Sequence, residues 1–380
     1  FPTRRSSDLA PFCEMGEACG GCPWQHLSYE AQLQAKRANV VAALERTAHF
    51  DHEAAEGLVG ECAPSKRQTG YRNKLELAAF RAPDGGLALG FSQQGTHDAV
   101  LPATCPAAVK PIQKAPKALR GALRFLSGSQ DLGIFRVGVR GSLRTKDVEI
   151  ALWTTPGAFP RAAAAKTLGS ALGATSIVRV VADPGKARKV KKVEVLAGKG
   201  FWEEDLAGFR YRTSAPSFFQ VNTAQAEKLV AAAMVGLTDG VPDALKGMLV
   251  ADLYAGGGTF SIPLARAGAD VLAVESAGSS VRDLRRNAEA NHADVEVIGG
   301  DAARELPELG GLDALVVDPP RAGLADGVVE SIAAAAPTRV AYISCNPATW
   351  ARDVSRFEQN GYRLLKATPV DMFPQTPHIE

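Results

Sequence analysis

Cys345 stands directly after an apolar run, within the sequence from Tyr342 to Pro347. A thiol at the end of a strand is free to act as a nucleophile, and the thiolate is a strong one near neutral pH. A glycine-rich loop and an acidic turn that begins at Asp318 lie upstream in the same unit. This combination indicates covalent catalysis on a scaffold that binds a cofactor.

The glycine-rich loop spans residues 250–260 and contains Gly256 and Gly258. Glycine adopts positive φ and lets a ligand approach the backbone closely. Glu275 ends the next apolar run, where a carboxylate can accept hydrogen bonds from ribose hydroxyls. The glycines alone do not distinguish NAD, FAD and S-adenosylmethionine sites, and a tight turn without a ligand has the same composition.

Three carboxylates favour S-adenosylmethionine among these ligands. Asp252 lies one residue inside the end of the first predicted strand, an acidic position common in methyltransferases. Asp301 follows the third strand, where it would meet the adenine, and Asp318 ends the fourth strand, beside the sulfonium. The two prolines after Asp318 fix a turn that presents its carboxylate.

A second group of cysteines lies near the start of the chain. Cys13, Cys19 and Cys22 come from one short loop, and Cys105 lies well downstream. Four thiolates around one centre fit a 4Fe-4S cluster or a zinc ion, and the spacing alone leaves both open. Because no export signal precedes them, we expect ligands or nucleophiles rather than disulfides. Cys62 has no partner pattern and is expected to be an ordinary buried residue.

The hydrophobic pattern predicts the elements that position these residues. Residues 27–49 have the spacing of a helix, and residues 57–212 are rich in short β segments separated by turns such as that at Asp84. From about residue 213, strands alternate with helices, which predicts an α/β fold with a parallel, doubly wound sheet. The predicted strands are 248–253, 271–275, 295–298, 314–318 and 339–344, and the helices are 223–236, 260–267, 280–291 and 328–336.

Charge is divided unevenly along the chain. Residues 1–212 carry 30 Lys and Arg against 20 Asp and Glu, a net +10, and residues 213–380 carry 13 against 21, a net −8. Two explanations fit this division of charge. The basic half can be the surface that binds a polyanion, or the two halves can be ordinary domains whose surfaces differ in charge. The basic residues of the first half include Lys186, Arg188, Lys189, Lys191, Lys192, Arg72, Lys74, Arg136, Arg140, Arg144 and Lys146.

Residues 13–380 resemble the RNA uracil-5 methyltransferase family, and within it the bacterial ribosomal-RNA branch that carries an iron–sulfur cluster. The matching motifs cover nearly the whole chain in order, from Cys13 to Cys22, Tyr71 to Lys74, Phe218 to Asn222, Tyr254 to Phe260, Asp318 to Gly323, Ser344 to Pro347 and Asp371 to Pro374. The resemblance implies a doubly wound, Rossmann-like class I methyltransferase domain, preceded by a smaller β-rich domain with a cysteine-ligated cluster.

The resemblance also implies roles for individual residues. It favours a 4Fe-4S cluster over zinc for the four cysteines, and it makes Cys345 the nucleophile and Glu380 the general base. By itself, Cys345 also fits a buried structural thiol, and Glu380 a solvated carboxylate. The residues implied for the S-adenosylmethionine site are Gln220, Tyr254, Gly256, Gly258, Glu275, Asp301 and Asp318.

Two carbon atoms of uracil explain why a thiol and a base are both needed. Carbon 5 is too weak a nucleophile to take a methyl group directly, and addition of a thiolate to carbon 6 makes it reactive. A base must then remove the proton on carbon 5 so that the thiol can leave. Cys345 suits the first role and Glu380 the second.

The ends of the chain depart from the family pattern. No small RNA-binding barrel precedes Cys13, and the chain stops at Glu380, where family members continue. We expect truncated ends, with residues 1–12 non-native or disordered. The expected domains are 13–26 with 51–212 (iron–sulfur and RNA-binding), 27–50 (a helix docking on the catalytic domain) and 213–380 (methyltransferase).

The sequence therefore predicts methyl transfer from S-adenosylmethionine to carbon 5 of a uridine in RNA, with a 23S ribosomal RNA loop as the substrate. The alternatives are tRNA uridine-54, an N-methyltransferase that needs no thiol, and a non-catalytic iron–sulfur RNA-binding protein. No apolar run approaches the ~18 residues of a membrane span. We expect a cytoplasmic monomer.

Overall fold

A computed structural model describes residues 9–16, 18–82, 85–93, 95–96, 98–128, 130–185, 189–241 and 243–380. Three predictions fall wholly or partly outside these ranges: the non-native or disordered end at residues 1–12, of which 1–8 lie outside, the turn at Asp84, and the basic residues Lys186 and Arg188. Among the described residues, no helix is both long and apolar enough to cross a bilayer.

The described residues form ten α-helices. In chain order these are α1 (Tyr29–Thr47), α2 (His52–Leu58), α3 (Ala115–Ser127), α4 (Arg161–Leu172), α5 (Thr223–Thr238), α6 (Ser261–Arg266), α7 (Gly278–Ala290), α8 (Ala302–Glu305), α9 (Val328–Ala335) and α10 (Pro347–Gln359).

The same residues form fourteen strands. These are β1 (Lys74–Arg81), β2 (Leu87–Ser92), β3 (Ala99–Val100), β4 (Ile134–Gly141), β5 (Val148–Thr154), β6 (Ser176–Ala182), β7 (Val190–Gly198), β8 (Trp202–Leu206), β9 (Phe209–Thr213), β10 (Leu249–Leu253), β11 (Asp270–Glu275), β12 (Val295–Gly299), β13 (Ala314–Val317) and β14 (Arg339–Tyr342).

A seven-stranded sheet occupies the first half, in the order β3-β2-β1-β4-β5-β6-β7. Its neighbouring strands are antiparallel except β5 and β6, which α4 connects in parallel. Alternate residues of β4, such as Val137 and Val139, are fully buried against Leu119 and Leu123 of α3 and against Leu168 of α4. Because side chains alternate across a strand, one face of the sheet can bury its apolar residues under these two helices.

A five-stranded parallel sheet occupies the second half, in the order β12-β11-β10-β13-β14. Val250 of β10 packs in a cluster with residues of α5 and α6, and the next residue, Ala251, packs with residues of α9. Helices therefore cover both faces, which confirms the doubly wound parallel sheet. The predicted strands and helices of this half are all present, with bounds that differ by at most two residues.

The sequence pattern gave no prediction for α10, which begins directly after the Cys345 turn. Asn346 caps this helix by accepting a hydrogen bond from the Ala348 backbone N–H, and Pro347 is its first residue. An Asn cap followed by Pro is a recognisable start signal. The helix packs its Trp350, Ala351 and Val354 side chains against α1.

Candidate active site

The glycine-rich loop follows β10 and needs glycine for a steric reason. Tyr254, Gly256 and Gly258 all have positive φ, at 63°, 56° and 93°. A Cβ atom at Gly258 would lie 2.6 Å from Cδ1 of Leu284, which is closer than van der Waals contact allows. Gly258 therefore permits both the backbone conformation and the close packing of the loop on α7.

Glu275 ties this loop to the next turn. Its carboxylate accepts a hydrogen bond from the Gly256 N–H at 2.9 Å and another from the Ala277 N–H at 2.6 Å. Asp301 is likewise bonded to backbone, since it caps α8 by accepting from the Ala303 N–H at 3.0 Å. Burial, followed by the Asp301 charge, raises the pKa of Tyr254. These three residues therefore border one surface at the carboxyl ends of β10, β11 and β12.

Two carboxyl groups lie at the ends of adjacent strands; Asp252 is fully buried and Asp318 is partly exposed. Asp252 is in β10 and Asp318 directly follows β13, and burial raises the pKa of each to about 7. For Asp318, the negative charge of Asp252 contributes to this rise in pKa after burial. One oxygen of Asp252 accepts from the Ser261 hydroxyl, and the other is buried with no partner among the described residues.

Gln220 belongs to the segment that leads into α5, and it is only 4% exposed. Its backbone carbonyl accepts a hydrogen bond from the Asn73 side chain at 2.9 Å. Its own side-chain amide makes no hydrogen bond to any residue that the structure describes. A side-chain amide without a protein partner is available for a ligand.

Cys345 lies in the turn between β14 and α10. The backbone N–H of Ile343 donates to Val317 O at 2.8 Å, which extends the pairing of β14 with β13 up to the turn. Ser344 Oγ accepts from the Asn346 N–H at 3.2 Å, so the turn is closed by its own side chains. The Cys345 thiol is partly exposed at this point.

The Cys345 turn is fastened to the loop that follows Asp318. Asn346 Nδ2 and Thr349 Oγ1 both donate to the Arg321 carbonyl at 3.1 Å. Beneath them, the fully buried Asp353 accepts from the Leu324 N–H and the Tyr342 hydroxyl, each at 2.8 Å. The two loops therefore form one rigid unit.

Glu380 completes this group. Its backbone pairs with Val370 in both directions, at 2.7 and 3.2 Å, which brings its side chain into the site. Burial, followed by the Asp318 charge, raises the pKa of Glu380 to about 8, against the lowering effect of Arg321. Burial also raises the pKa of the Cys345 thiol, followed by the Glu380 charge, against the lowering effect of Arg321. The structure thus brings together the predicted nucleophile, the predicted base and Asp318.

The segment from Val370 to Glu380 is held by polar groups of α1 that sequence reasoning did not single out. Tyr29 donates to the Asp371 carboxylate at 2.7 Å, and the buried Lys36 ammonium bonds the same carboxylate. Gln32 exchanges hydrogen bonds with Gln375 at 2.9 and 3.0 Å. Residues 29, 32 and 36 share one helix face, so a polar stripe on α1 was the available signal.

The four predicted cluster cysteines line a single cavity together with Arg72 and Glu76. Burial, followed by the nearby Cys105 and Cys19, raises the pKa of Cys22 to about 12. Among the described residues, no group of three or more His, Cys, Asp or Glu side chains is arranged to hold a metal ion. Cys62 is buried elsewhere, beneath α1, as expected.

The predicted basic surface needs one correction. Arg140 is 2% exposed and donates to the carbonyls of Thr213, Ser214 and Ser217, so it is a buried structural residue and not a phosphate contact. A guanidinium with five donors can satisfy several carbonyls at once, which the sequence could not reveal. Lys191 is exposed, and it pairs with Asp183 at 2.7 Å.

Comparison with known proteins adds independent findings. Residues 28–309 and 310–380 match a family model described as tRNA (Uracil-5-)-methyltransferase. The chain is 34% identical to an uncharacterized RNA methyltransferase of Thermosynechococcus vestitus, over 98% of this chain and 83% of that protein. An uncharacterized RNA methyltransferase of Staphylococcus aureus is 32% identical, over 100% and 84%.

A solved structure is also similar over nearly the whole chain. It is the Pyrococcus abyssi tRNA (uracil-54, C5)-methyltransferase in complex with S-adenosyl-L-homocysteine. The TM-score is 0.73 and the sequence identity 29%, covering 95% of this chain and 83% of that one.

Proposed function

We propose that this chain, which belongs to the tRNA (uracil-5-)-methyltransferase family, methylates carbon 5 of a uridine in RNA through a covalent Cys345 adduct. The chain is an S-adenosylmethionine-dependent RNA methyltransferase. The observation that carries the uridine mechanism is the grouping of Cys345, Glu380 and Asp318 at the carboxyl end of the parallel sheet, beside the glycine-rich loop.

The residues of the chain can perform each step. The Cys345 thiolate adds to carbon 6 of uracil, and the resulting enolate takes the methyl group at carbon 5. Glu380 then removes the carbon-5 proton, the bond between sulfur and carbon 6 breaks, and the thiolate returns. S-adenosylmethionine supplies the electrophilic methyl group and leaves as S-adenosylhomocysteine. Burial of Glu380 raises its basicity, as a carbon acid requires.

Seven residues would hold the methyl donor. Gly256 leaves open space beside the backbone, and Gly258 lets the loop pack closely on α7. Glu275 keeps free lone pairs for ribose hydroxyls beside its two backbone bonds. The Gln220 side-chain amide has no hydrogen-bond partner among the described residues, so it is free to bond a polar group of the methyl donor. The full set is Gln220, Tyr254, Gly256, Gly258, Glu275, Asp301 and Asp318.

Trapping with RNA that contains 5-fluorouridine tests the reaction. The fluorine on carbon 5 cannot be removed by a base as a proton can, so the covalent adduct cannot break down. Wild-type protein is expected to form a stable covalent complex that requires S-adenosylmethionine. Cys345→Ala should form none and still bind S-adenosylhomocysteine. Cys62→Ala is the matched control and should trap RNA like the wild type. Full methyl transfer by Cys345→Ala would instead support an N-methyltransferase.

For the substrate, we favour a 23S ribosomal RNA loop over tRNA uridine-54. The cysteine quartet supports the ribosomal branch, whereas the similar solved structure is that of a tRNA methyltransferase. A single-stranded loop would reduce the cost of unstacking the target base, about a few kcal/mol. Methyl transfer to ribosomal RNA and to unmodified tRNA, followed by mapping of 5-methyluridine, distinguishes the two. Methylation of tRNA alone would refute the ribosomal assignment.

For the cysteine-lined cavity, we favour a 4Fe-4S cluster over zinc, with Cys13, Cys19, Cys22 and Cys105 as ligands. Their shared cavity supports this, and the raised pKa of the Cys22 thiol, to which burial and then the nearby Cys105 and Cys19 contribute, would be relieved by binding to metal. Residues 13–26 and 51–212 would then form the cluster and RNA-binding domain, and 213–380 the methyltransferase domain. Anaerobic purification should give about four iron and four sulfide per chain; zinc alone would contradict it.

A further inference from the structure

A short segment, Tyr71 to Asn73, lies between the cysteine-lined cavity and the active site. On one side its backbone pairs with the residues that follow Cys105. The N–H groups of Tyr71 and Arg72 donate to Ala107 O at 3.0 and 2.9 Å, and the Val109 N–H donates to Arg72 O at 2.9 Å. The segment is therefore fixed to the seven-stranded half of the molecule.

On its other side, Asn73 directs every nitrogen it has toward the segment that carries Gln220. Its Nδ2 donates to Gln220 O at 2.9 Å and to Thr223 Oγ1 at 3.1 Å. Its backbone N–H donates to Val221 O at 2.8 Å. Asn73 is 2% exposed, so water cannot replace these bonds readily. The position of the Gln220 amide thus depends on a residue nearly 150 positions away.

Tyr71 makes the corresponding contact to the segment that carries Glu380. Its hydroxyl donates to Pro374 O at 3.1 Å, and both groups are buried. Pro374 lies inside the loop whose two ends, Val370 and Glu380, are hydrogen bonded to each other. Moving Pro374 therefore moves the loop that holds the proposed base.

We propose that Asn73 and Tyr71 are positioning residues with separate tasks: Asn73 places Gln220 for the methyl donor, and Tyr71 places the Glu380 loop for proton removal. The proposal rests on the function assigned above. Neither side chain contacts a reacting atom. A purely structural role would lower stability and impair donor binding and proton removal together, whereas separate tasks impair one step each.

Asn73→Asp tests the first task, because the two shapes are nearly the same while both Nδ2 donors are lost. The matched control is Asn291→Asp, whose Nδ2 likewise makes two hydrogen bonds, to the carbonyls of Arg210 and Asn287. We expect the calorimetric Kd for S-adenosylhomocysteine to rise about tenfold in Asn73→Asp. The Kd of the control should stay within about twofold. Equal Kd values in the two variants would overturn the assignment.

Tyr71→Phe tests the second task, and Tyr362→Phe is its control, since the Tyr362 hydroxyl donates to a proline carbonyl, Pro337 O, at 2.9 Å. With ordinary uridine RNA, Tyr71→Phe is expected to accumulate covalent adduct, because proton removal is slowed while Kd for S-adenosylhomocysteine is unchanged. The control should show no adduct. Absence of adduct in Tyr71→Phe, or a parallel loss of donor affinity, would overturn the assignment.

The wild-type protein separates failure of this inference from failure of the proposed function. If wild-type protein neither transfers a methyl group nor traps 5-fluorouridine RNA, the proposed function fails and the inference with it. If wild-type protein does both and the two variants behave like their controls, the function stands and the positioning roles are wrong.

Discussion

The two proposed catalytic residues reach the same site by different routes. Cys345 is placed by its neighbours in sequence: β14 ends at Tyr342, Ser344 closes the turn, and Asn346 starts α10. Glu380 is placed by a loop that α1 holds through contacts more than 330 positions apart in sequence. The position of the nucleophile therefore follows from the adjacent strand and helix, whereas the position of the base depends on docking of a helix that is distant in sequence.

This difference predicts how each residue responds to change. Substitutions at the Cys345 turn should affect chemistry with little effect on the rest of the molecule. Substitutions in the polar face of α1 should affect Glu380 through the loop that carries it, and not by direct contact with Glu380. The predictions below test the contrast in order of decreasing effect.

Cys345→Ser should abolish turnover, by at least about 10³-fold, because a serine hydroxyl is a much weaker nucleophile at neutral pH. Transfer of radiolabelled methyl groups to RNA measures this loss. Stability and the Kd for S-adenosylhomocysteine should stay near wild type. A large loss of stability or of affinity for S-adenosylhomocysteine would mean that the Cys345 side chain also supports the surrounding structure.

Glu380→Gln should slow turnover by about 10²- to 10⁴-fold, the usual contribution of a general base. Because the amide cannot remove the carbon-5 proton, the methylated adduct should accumulate with ordinary uridine RNA. Denaturing gels that separate free protein from protein–RNA adduct provide the measurement. Slow turnover without accumulation of the adduct would mean that Glu380 acts before methyl transfer and not after it.

Lys36→Met should lower the free energy of unfolding by about 3–5 kcal/mol, because it leaves the buried Asp371 carboxylate without its cation. The control is Lys191→Met, which breaks an exposed pair with Asp183 and should cost at most about 1 kcal/mol. Urea denaturation measures both. A similar small loss in the two variants would contradict the role of α1 in holding the loop.

The pH dependence of adduct breakdown should report Glu380. Its pKa is raised to about 8 by burial, and only the deprotonated carboxylate can accept the carbon-5 proton. The breakdown rate should therefore rise about tenfold per pH unit below 8 and level off above it. Single-turnover decay of the adduct between pH 6 and 9 measures this. A rate that falls with rising pH would exclude Glu380 as the base.

Much of the catalytic half could be predicted from its sequence. The strands β10, β11 and β13 are predominantly apolar, and buried parallel strands have that composition. The glycines and carboxylates that follow these strands therefore had to meet at one edge of the sheet. The expected cofactor residues Glu275, Asp301 and Asp318 lie at that edge because of this rule.

Other features left no local pattern. Arg140 was expected on a basic surface, yet it is buried and bonded to carbonyls before Gln220. The stripe of Tyr29, Gln32 and Lys36 was not distinguished from an ordinary polar helix face. In both cases the side chain satisfies groups that are distant in sequence, and hydrophobic periodicity carries no information about such partners.

The sequence by itself determined the parallel sheet, the glycine-rich loop and the cysteine turn, because each follows from backbone preferences and burial within a few consecutive residues. Only the tertiary structure decided where the Glu380 loop lies and how Asn73 meets Gln220. These positions depend on hydrogen bonds between buried polar groups, and such bonds are specified by geometry that forms only when the two halves of the chain pack together.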